Sequence, residues 1–188
     1  ENHNWLLISK EFITSKMKNQ KSTIKTLNKN KKIKEVKIIE NKIKQNIKDF
    51  KNFKITLNDN IFTSKNKIMG FEGIASVNYW EAVSLLLPDE INFKNRNQKP
   101  ENDVVNSMLN YGYAILASEI AKNIVTLGLD PYCGLLHADL KRRQSLIFDL
   151  IEEFRQQIVD QTVFKLINTN QINETNIDKR NNSLKLES

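Results

Sequence analysis

The 188-residue sequence has few of the residues that crosslink or bend a chain: one cysteine, three prolines and five glycines. A single cysteine, Cys133, excludes an intrachain disulfide and a zinc site built from several cysteines. No apolar run approaches the roughly 18 residues that a membrane span needs. Lysine, asparagine and glutamate interrupt the first thirty residues, where a signal peptide would have its apolar core. These absences predict a cytoplasmic protein without a membrane partner.

Arginine is absent from the first 70 residues, which hold 17 lysines and six acidic residues, a net charge of +11. The remaining residues carry a net charge of −4, and the whole chain +7. A lysine-rich region of this kind is suited to the phosphates of nucleic acid, and Lys31, Lys32 and Lys34 are candidate DNA contacts. A solvated face that reflects coding bias explains the same composition equally well.

Apolar residues recur at the spacing of helices. The clearest period runs through Val36, Ile39, Ile43, Ile47 and Phe50, with lysine and glutamate on the opposite face. Similar patterns predict further helices at 6–28, 71–87, 103–127 and 143–167. Residues 52–69 read as a loop with a short element near Ile61, and 168–188 as a polar tail. With no alternating strand pattern of useful length, the predicted fold class is all-α.

Four residues could form a metal site. Asp149 and Glu152 lie three residues apart on the last predicted helix, so they share a face. They border an apolar stripe, where a carboxylate is costly unless it is paired or bound to metal. His137 follows a glycine turn, and Glu72 lies at the start of a predicted helix. One imidazole with two or three carboxylates suits Mg²⁺ or Mn²⁺, ions that catalyse phosphoryl transfer.

Each of these residues also has a structural interpretation. Glu72 could complement the positive end of a helix dipole, and His137 could be a hydrogen-bonded loop histidine. Asp149 and Glu152 could lie at a solvated edge, where their ion-pair partners would be Arg142, Arg143 or Arg155.

Two further groups allow two interpretations each. Arg142 and Arg143 could bind a phosphate backbone or neutralise the acidic residues, with equal support. Asn106, Asn110 and Tyr113 share a helical face, and a tyrosine there could contact DNA or be buried with its hydroxyl satisfied.

An ordered series of short motifs resembles the CRISPR-associated integrase and endonuclease family, whose members insert new spacers into a CRISPR array. The motifs are Gly70-Phe71-Glu72-Gly73-Ile74-Ala75-Ser76, Tyr79-Trp80, Asp103, Asn106, Leu109-Asn110-Tyr111-Gly112-Tyr113, Gly128-Leu129-Asp130-Pro131, Gly134-Leu135-Leu136-His137, Ser145-Leu146, Asp149-Leu150, Glu152-Glu153-Phe154-Arg155 and Ile158-Val159-Asp160. Together they cover about residues 70–165. Upstream, Phe12-Ile13, Lys16-Met17 and Asn19-Gln20 resemble the start of the family's helical lobe.

The resemblance implies a function and a site. Glu72, His137 and Glu152 match the family's catalytic metal ligands, Asp149 matches an assisting acid, and Asn110-Tyr111 matches a segment beside the active site. The implied activity is metal-dependent DNA cleavage and spacer integration, in which a DNA 3′-hydroxyl attacks a phosphodiester. The implied cofactor is Mg²⁺ or Mn²⁺. The implied partners are double-stranded and branched DNA, CRISPR-associated protein two and, in the full-length protein, a second copy.

Family members carry a small β domain before the helical lobe, and this sequence lacks it, so we expect a catalytic-lobe fragment. The expected division is a lysine-rich helical segment after the interdomain linker (1–69), a metal-dependent catalytic helical core (70–167) and a truncated polar tail (168–188). The alternatives are a transposon-borne integrase of the same family and a non-catalytic, basic DNA-binding lobe.

Overall fold

The computed structural model describes residues 2–56, 60–98, 103–134, 136, 144–172, 177–180 and 183–186. The helices are α1 (Asn2–Lys31), α2 (Lys34–Asn52), α3 (Ile61–Leu86), α4 (Val104–Thr126), α5 (Ser145–Phe154) and α6 (Gln161–Asn168). A short 3₁₀ turn spans Asp89–Ile91, and a π-helical segment, Arg155–Asp160, joins α5 to α6. The predicted all-α fold class is confirmed, and none of the described helices is long and apolar enough to cross a membrane.

Helix α2 follows the sequence pattern closely. Its five periodic apolar residues are all buried, with Ile43 and Phe50 fully inaccessible. It packs against α1 and α3, which also pack against each other. Burial of one helical face in this way supplies most of a helix's stability, because isolated helices of this length are marginal in water.

Helix α3 begins ten residues before the predicted start. The Asn60 side chain accepts hydrogen bonds from the backbone nitrogens of Phe62 and Thr63, at 2.9 and 3.4 Å, and so caps the first turn. The prediction of a loop over 52–69 with only a short element near Ile61-Phe62 is therefore wrong from Ile61 onward. Glu72 consequently lies well inside α3, so its interpretation as a partner of the helix N-terminus is also wrong.

The core is aromatic where α3 meets the C-terminal helices. Trp80 packs its ring against those of Tyr79, Phe93 and Phe164, with centroids 4.8 to 6.5 Å apart. Such tilted and edge-on arrangements are the favoured ones for aromatic pairs. Trp80 therefore packs against the hydrophobic core, which includes Met17 of α1 and Phe50 of α2.

The second half of the chain buries less of its apolar surface than the pattern predicted. In α4, Ile115 is 48% and Val125 is 67% exposed. Phe154 and Ile158, two apolar residues within the helix predicted at 143–167, are 41% and 50% exposed. The π-helical segment explains the exposure of Ile158, because one extra residue in a helical turn rotates the side chains of that turn and those after it away from a regular 3.6-residue period.

The chain also contains a short hairpin that the sequence analysis did not predict. Strand β1 (Ile177–Arg180) pairs antiparallel with β2 (Ser183–Leu186), with Ile177 opposite Leu186 and Arg180 opposite Ser183. The prediction of a polar tail over 168–188 did not include these two strands. Leucine alternates with a polar residue along β2, a period of two that is typical of a strand but too short to stand out in the sequence.

Candidate functional site

Two glutamates from different helices meet at one lysine. Lys16 of α1 donates a hydrogen bond from Nζ to Glu72 Oε1 of α3, and the same Nζ lies 2.6 Å from Glu152 Oε2 of α5. The side chains of Lys16 and Glu152 are 9% and 8% exposed, and that of Glu72 is 25% exposed. The fold therefore brings together two of the predicted ligands and a cation that the sequence analysis had not assigned to the site.

Each glutamate has a second partner that fixes its orientation. Ser76, one turn after Glu72 on α3, donates from Oγ to Glu72 Oε1 at 2.9 Å, and Gln20 donates to that hydroxyl at 3.3 Å. Arg155 pairs with Glu152 through an Nη1–Oε1 distance of 2.8 Å. Of the three arginines named as possible partners of Asp149 and Glu152, Arg155 does pair with Glu152, but the carboxylate is buried instead of lying at a solvated edge.

The ammonium group of Lys16 is a stable charge. Burial alone would lower the pKa of Lys16, but the charges and hydrogen bonds of Glu152 and Glu72 outweigh it, so the pKa is raised above its usual value. A small cavity of about 50 Å³ adjoins the group. Its lining residues are Ile13, Lys16, Ile68, Met69, Glu72, Leu136 and Glu152.

Asp149 holds the segment that precedes His137. Its side chain is 1% exposed, and Oδ2 accepts a hydrogen bond from the backbone nitrogen of Leu136 at 3.1 Å. Ser145, at the start of α5, accepts from the Gly134 nitrogen at 3.0 Å and donates to the Tyr132 carbonyl at 2.8 Å. Asp149 is therefore buried and hydrogen-bonded, and its interpretation as a solvated-edge residue is wrong.

A second buried polar cluster adjoins the first. Asp160, at the end of the π-helical segment, accepts hydrogen bonds from the hydroxyls of Tyr79, at 2.7 Å, and Tyr113. Burial raises the pKa of Asp160 to about 6, although both hydroxyls and Arg155 act in the opposite direction. The guanidinium of Arg155 lies 4.7 Å from the Tyr113 ring centroid, and that of Arg96 lies 5.4 Å from it. Arg155 thus contacts both clusters.

The predicted common face of Asn106, Asn110 and Tyr113 is confirmed, because Arg96 contacts all three side chains. The structure also separates the two tyrosines of this segment. Tyr113 is partly buried with its hydroxyl satisfied, whereas Tyr111 is 63% exposed. Any contact of Asn110 or Tyr111 with DNA stays a prediction.

Three of the predicted site residues lie outside the described residues: His137, Arg142 and Arg143. Within the described part of the chain, no group of three histidine, cysteine, aspartate or glutamate side chains could hold a metal ion. The assignment of Glu72, Glu152 and Asp149 as ligands stays a prediction. The candidate site could not be identified from cavity size, because its cavity of about 50 Å³ is much smaller than an open groove of about 1120 Å³ between α1, the 3₁₀ turn and α6.

Lys16 is the residue that sequence reasoning missed. It lies between Ile13 and Met17 on the buried stripe of α1, where a lysine is rarely found unless it is paired. A lysine on an apolar stripe was therefore the signal available in the sequence, although it did not identify the glutamates that Lys16 contacts. The three lysines predicted to contact DNA, Lys31, Lys32 and Lys34, are all exposed, and Lys31 also donates to the Leu86 carbonyl at 2.6 Å.

Comparison with known proteins identifies relatives along the entire chain. The family model for CRISPR-associated protein Cas1 matches residues 1–188. The chain is 57% identical over 187 residues to a CRISPR-associated protein Cas1 of Methanobrevibacter ruminantium, and it covers 56% of that protein. It is 38% identical to a CRISPR-associated endonuclease Cas1 of Archaeoglobus fulgidus, with 93% of this chain and 53% of the relative covered. The chain therefore spans about half the length of the curated relatives it matches.

Solved structures resemble the fold along the same length. A casposase bound to an integration product is 30% identical with a TM-score of 0.81, covering 100% of this chain and 50% of that one. A Cas1 protein from Thermotoga maritima, 24% identical with a TM-score of 0.78, shares the fold; 98% of this chain and 54% of that one are covered. The motifs, the helical fold and the match over all 188 residues agree: the chain belongs to the Cas1 family of CRISPR-associated proteins.

Proposed function

We propose that this chain is the catalytic lobe of a metal-dependent DNA endonuclease and integrase that inserts spacer DNA into a CRISPR array. Its family membership and its 57% identity to a CRISPR-associated protein support the biological setting. Its likeness to a casposase bound to an integration product supports the reaction class. The observation that carries the proposal is the contact of Glu72 and Glu152 with a single buried nitrogen.

The residues present fit a divalent metal ion. Glu72 and Glu152 each place one carboxylate oxygen against the same cation, so both side chains are directed at one point, as shared ligands of a metal ion would be. Carboxylate oxygens are the preferred ligands of Mg²⁺ and Mn²⁺. Together with His137, and with Asp149 close by in sequence, they form the proposed ligand set. When bound, the ion would orient the reacting oxygens and stabilise charge on the phosphate.

The chain's own residues position this ligand set. Arg155 orients the Glu152 carboxylate, and Ser76 orients that of Glu72. Through the Leu136 nitrogen, Asp149 fixes the backbone beside His137. With these groups held, the attacking DNA 3′-hydroxyl would displace the 3′-oxygen of the target phosphodiester, and no protein nucleophile would be needed. Holding the reacting groups in position lowers the activation barrier, because their translational and rotational entropy is already lost before the reaction step.

Partners follow from the same proposal. The lysine-rich first third would bind the backbone of double-stranded and branched DNA, and Arg142 and Arg143 would add phosphate contacts. The chain is similar in fold to a Cas6-RT-Cas1–Cas2 complex component, with a TM-score of 0.80 and 21% identity. We therefore propose that the full-length protein acts in the cytoplasm with CRISPR-associated protein two, as a homodimer.

Conservative substitutions at the two glutamates test the proposal. Glu72→Gln and Glu152→Gln should abolish Mn²⁺-dependent cleavage and strand transfer on labelled branched DNA, as should a chelator added to the wild type. Because many lysines supply the affinity, DNA binding measured by fluorescence anisotropy should change by no more than a few-fold. Glu81→Gln, an exposed position on the same helix, is the control and should behave as wild type.

Two outcomes would contradict the proposal. Wild-type rates in Glu72→Gln would remove Glu72 from the ligand set. DNA binding without cleavage or strand transfer in any divalent metal would instead favour the non-catalytic DNA-binding lobe.

A further inference from the structure

Lys16 occupies the position between the two carboxylates. It is 7% exposed, and α1 supplies it from a face that also buries Ile13 and Met17. Its Nζ contacts Glu72 Oε1 and Glu152 Oε2 together. Two carboxylates buried side by side repel each other unless a cation lies between them. Lys16 supplies that cation within the folded chain.

We propose that Lys16 is an internal counter-ion that exchanges with the divalent metal: its ammonium leaves the two carboxylates when the metal binds them. The inference rests on the proposed function, because it takes Glu72 and Glu152 as the ligands. A metal ion in contact with both oxygens would occupy the position of Nζ, and two cations at one position repel each other strongly. Metal binding therefore requires the ammonium to withdraw.

The structure provides space for this exchange. The cavity of about 50 Å³ is lined by Lys16, Glu72 and Glu152 themselves, together with apolar side chains such as Ile68 and Met69. Its volume exceeds the roughly 30 Å³ that a water molecule takes up in the liquid, so a flexible lysine end can change rotamer within it. Glu152 keeps Arg155 after Lys16 leaves, so the site retains one positive charge from the protein.

Exchange of Lys16 for the metal predicts a change in metal affinity that a purely positioning role of Lys16 does not predict. If Lys16 competes with the metal, removing its charge must strengthen metal binding; if Lys16 helps to hold the metal site in shape, removing it must weaken binding or leave it unchanged. An ammonium that stayed beside the metal would also repel it, so the acetylation measurement below is the one that reports whether the ammonium moves. Lys16→Met keeps the length and apolar stem of the side chain while it removes the ammonium. The matched control is Lys18→Met, an exposed lysine two residues away on the same helix.

The experiment measures Mn²⁺ binding without DNA, by calorimetry or by the electron paramagnetic resonance signal of free Mn²⁺, at constant pH. Lys16→Met should bind Mn²⁺ about ten-fold more tightly than the wild type or better, which corresponds to about 1.4 kcal/mol. Lys18→Met should stay within about two-fold of the wild type, since an exposed charge is largely screened. Equal or weaker binding by Lys16→Met would overturn the exchange.

A second measurement uses only the wild-type protein, in case Lys16→Met does not fold without metal. Acetylation of individual lysines, read by mass spectrometry, should be slow at Lys16 without metal. Saturating Mg²⁺ should speed it several-fold, with no change at Lys18. No increase at Lys16 would contradict the proposal.

Glu72→Gln separates this inference from the function on which it rests. If Glu72→Gln leaves Mn²⁺ binding unchanged, the ligand assignment fails and takes the exchange with it. If Glu72→Gln weakens Mn²⁺ binding while Lys16→Met does not strengthen it, the metal site stands and only the exchange is wrong.

Discussion

The buried carboxyl group of Asp160 should make the stability of this protein depend on pH in an unusual direction. Asp160 is fully buried, and burial raises its pKa from 3.8 to about 6. The folded protein therefore holds a proton that the unfolded chain has already lost. A group of this kind contributes stability that is fully present below pH 4 and is lost as the pH rises through about 6.

The size of the effect follows from the pKa difference. A difference of about two between the folded and unfolded states corresponds to about 3 kcal/mol in the free energy of unfolding. Asp160→Asn removes the titration while it keeps the shape of the side chain. The wild type should lose up to about 3 kcal/mol relative to Asp160→Asn between pH 4 and pH 7.

Urea unfolding at half-unit pH steps measures this difference. The comparison uses the change with pH and not the absolute stability, because an asparagine amide also alters the hydrogen bonds to Tyr79 and Tyr113. The control is Asp89→Asn, the same chemical change at an exposed carboxylate, whose curve should run parallel to the wild type. Parallel curves for the wild type and Asp160→Asn over pH 4–7 would show that burial does not raise the Asp160 pKa in the folded protein.

Two further predictions concern the loop before His137 and the lysine-rich region. A Cβ at Gly134 would lie 2.4 Å from Ser145 Cβ and 2.7 Å from its carbonyl carbon, so Gly134→Ala should lower the free energy of unfolding by about 1–3 kcal/mol, measured by thermal unfolding. The control is Gly70→Ala, whose Cβ would have no atom within 4 Å and which should stabilise α3 by about 0.5–1 kcal/mol. Equal melting temperatures for Gly134→Ala and the wild type would refute the close packing. Replacing Lys31, Lys32 and Lys34 by glutamine should flatten the slope of log DNA affinity against log salt by about one to three. Lys31 already binds the Leu86 carbonyl, so a Lys32 and Lys34 double variant should account for most of the change, whereas an unchanged slope would favour coding bias.

Sequence periodicity predicted those elements in which one continuous apolar face is buried. Helix α2 is the clear example, because its five periodic residues are all buried. The start of α3 was missed because its first ten residues bury only Ser64 and Ile68, so the helix there depends on the Asn60 cap and leaves little hydrophobic pattern. A cap of this type is a local hydrogen bond and cannot be distinguished by composition from asparagine in a loop.

The candidate site could be predicted from the sequence only in part, for a different reason. Resemblance to the family selected Glu72 and Glu152, and the fold brings both side chains to one cation. The cation itself could not be predicted, because Lys16 is 56 residues from Glu72 in sequence and nothing local indicates which buried charge it meets. Asp160 was noticed only as part of a motif, and its role as the acceptor of two tyrosine hydroxyls depends on contacts from α3 and α4.

The π-helical segment connects these observations. In a regular α-helix each residue turns by about 100°, so Glu152 and Asp160 would point about 80° apart. One residue absorbed by the π-helical turn reduces this angle to about 20°, because the eight-residue step then behaves as seven. Both carboxyl groups consequently face the interior, where one meets Lys16 and the other meets Tyr79, while Ile158 is left exposed. The exposure of Ile158 and the burial of Asp160 therefore have one cause: the helix gives up hydrophobic burial at this turn, and Asp160 joins Glu152 among the acidic groups that surround Arg155.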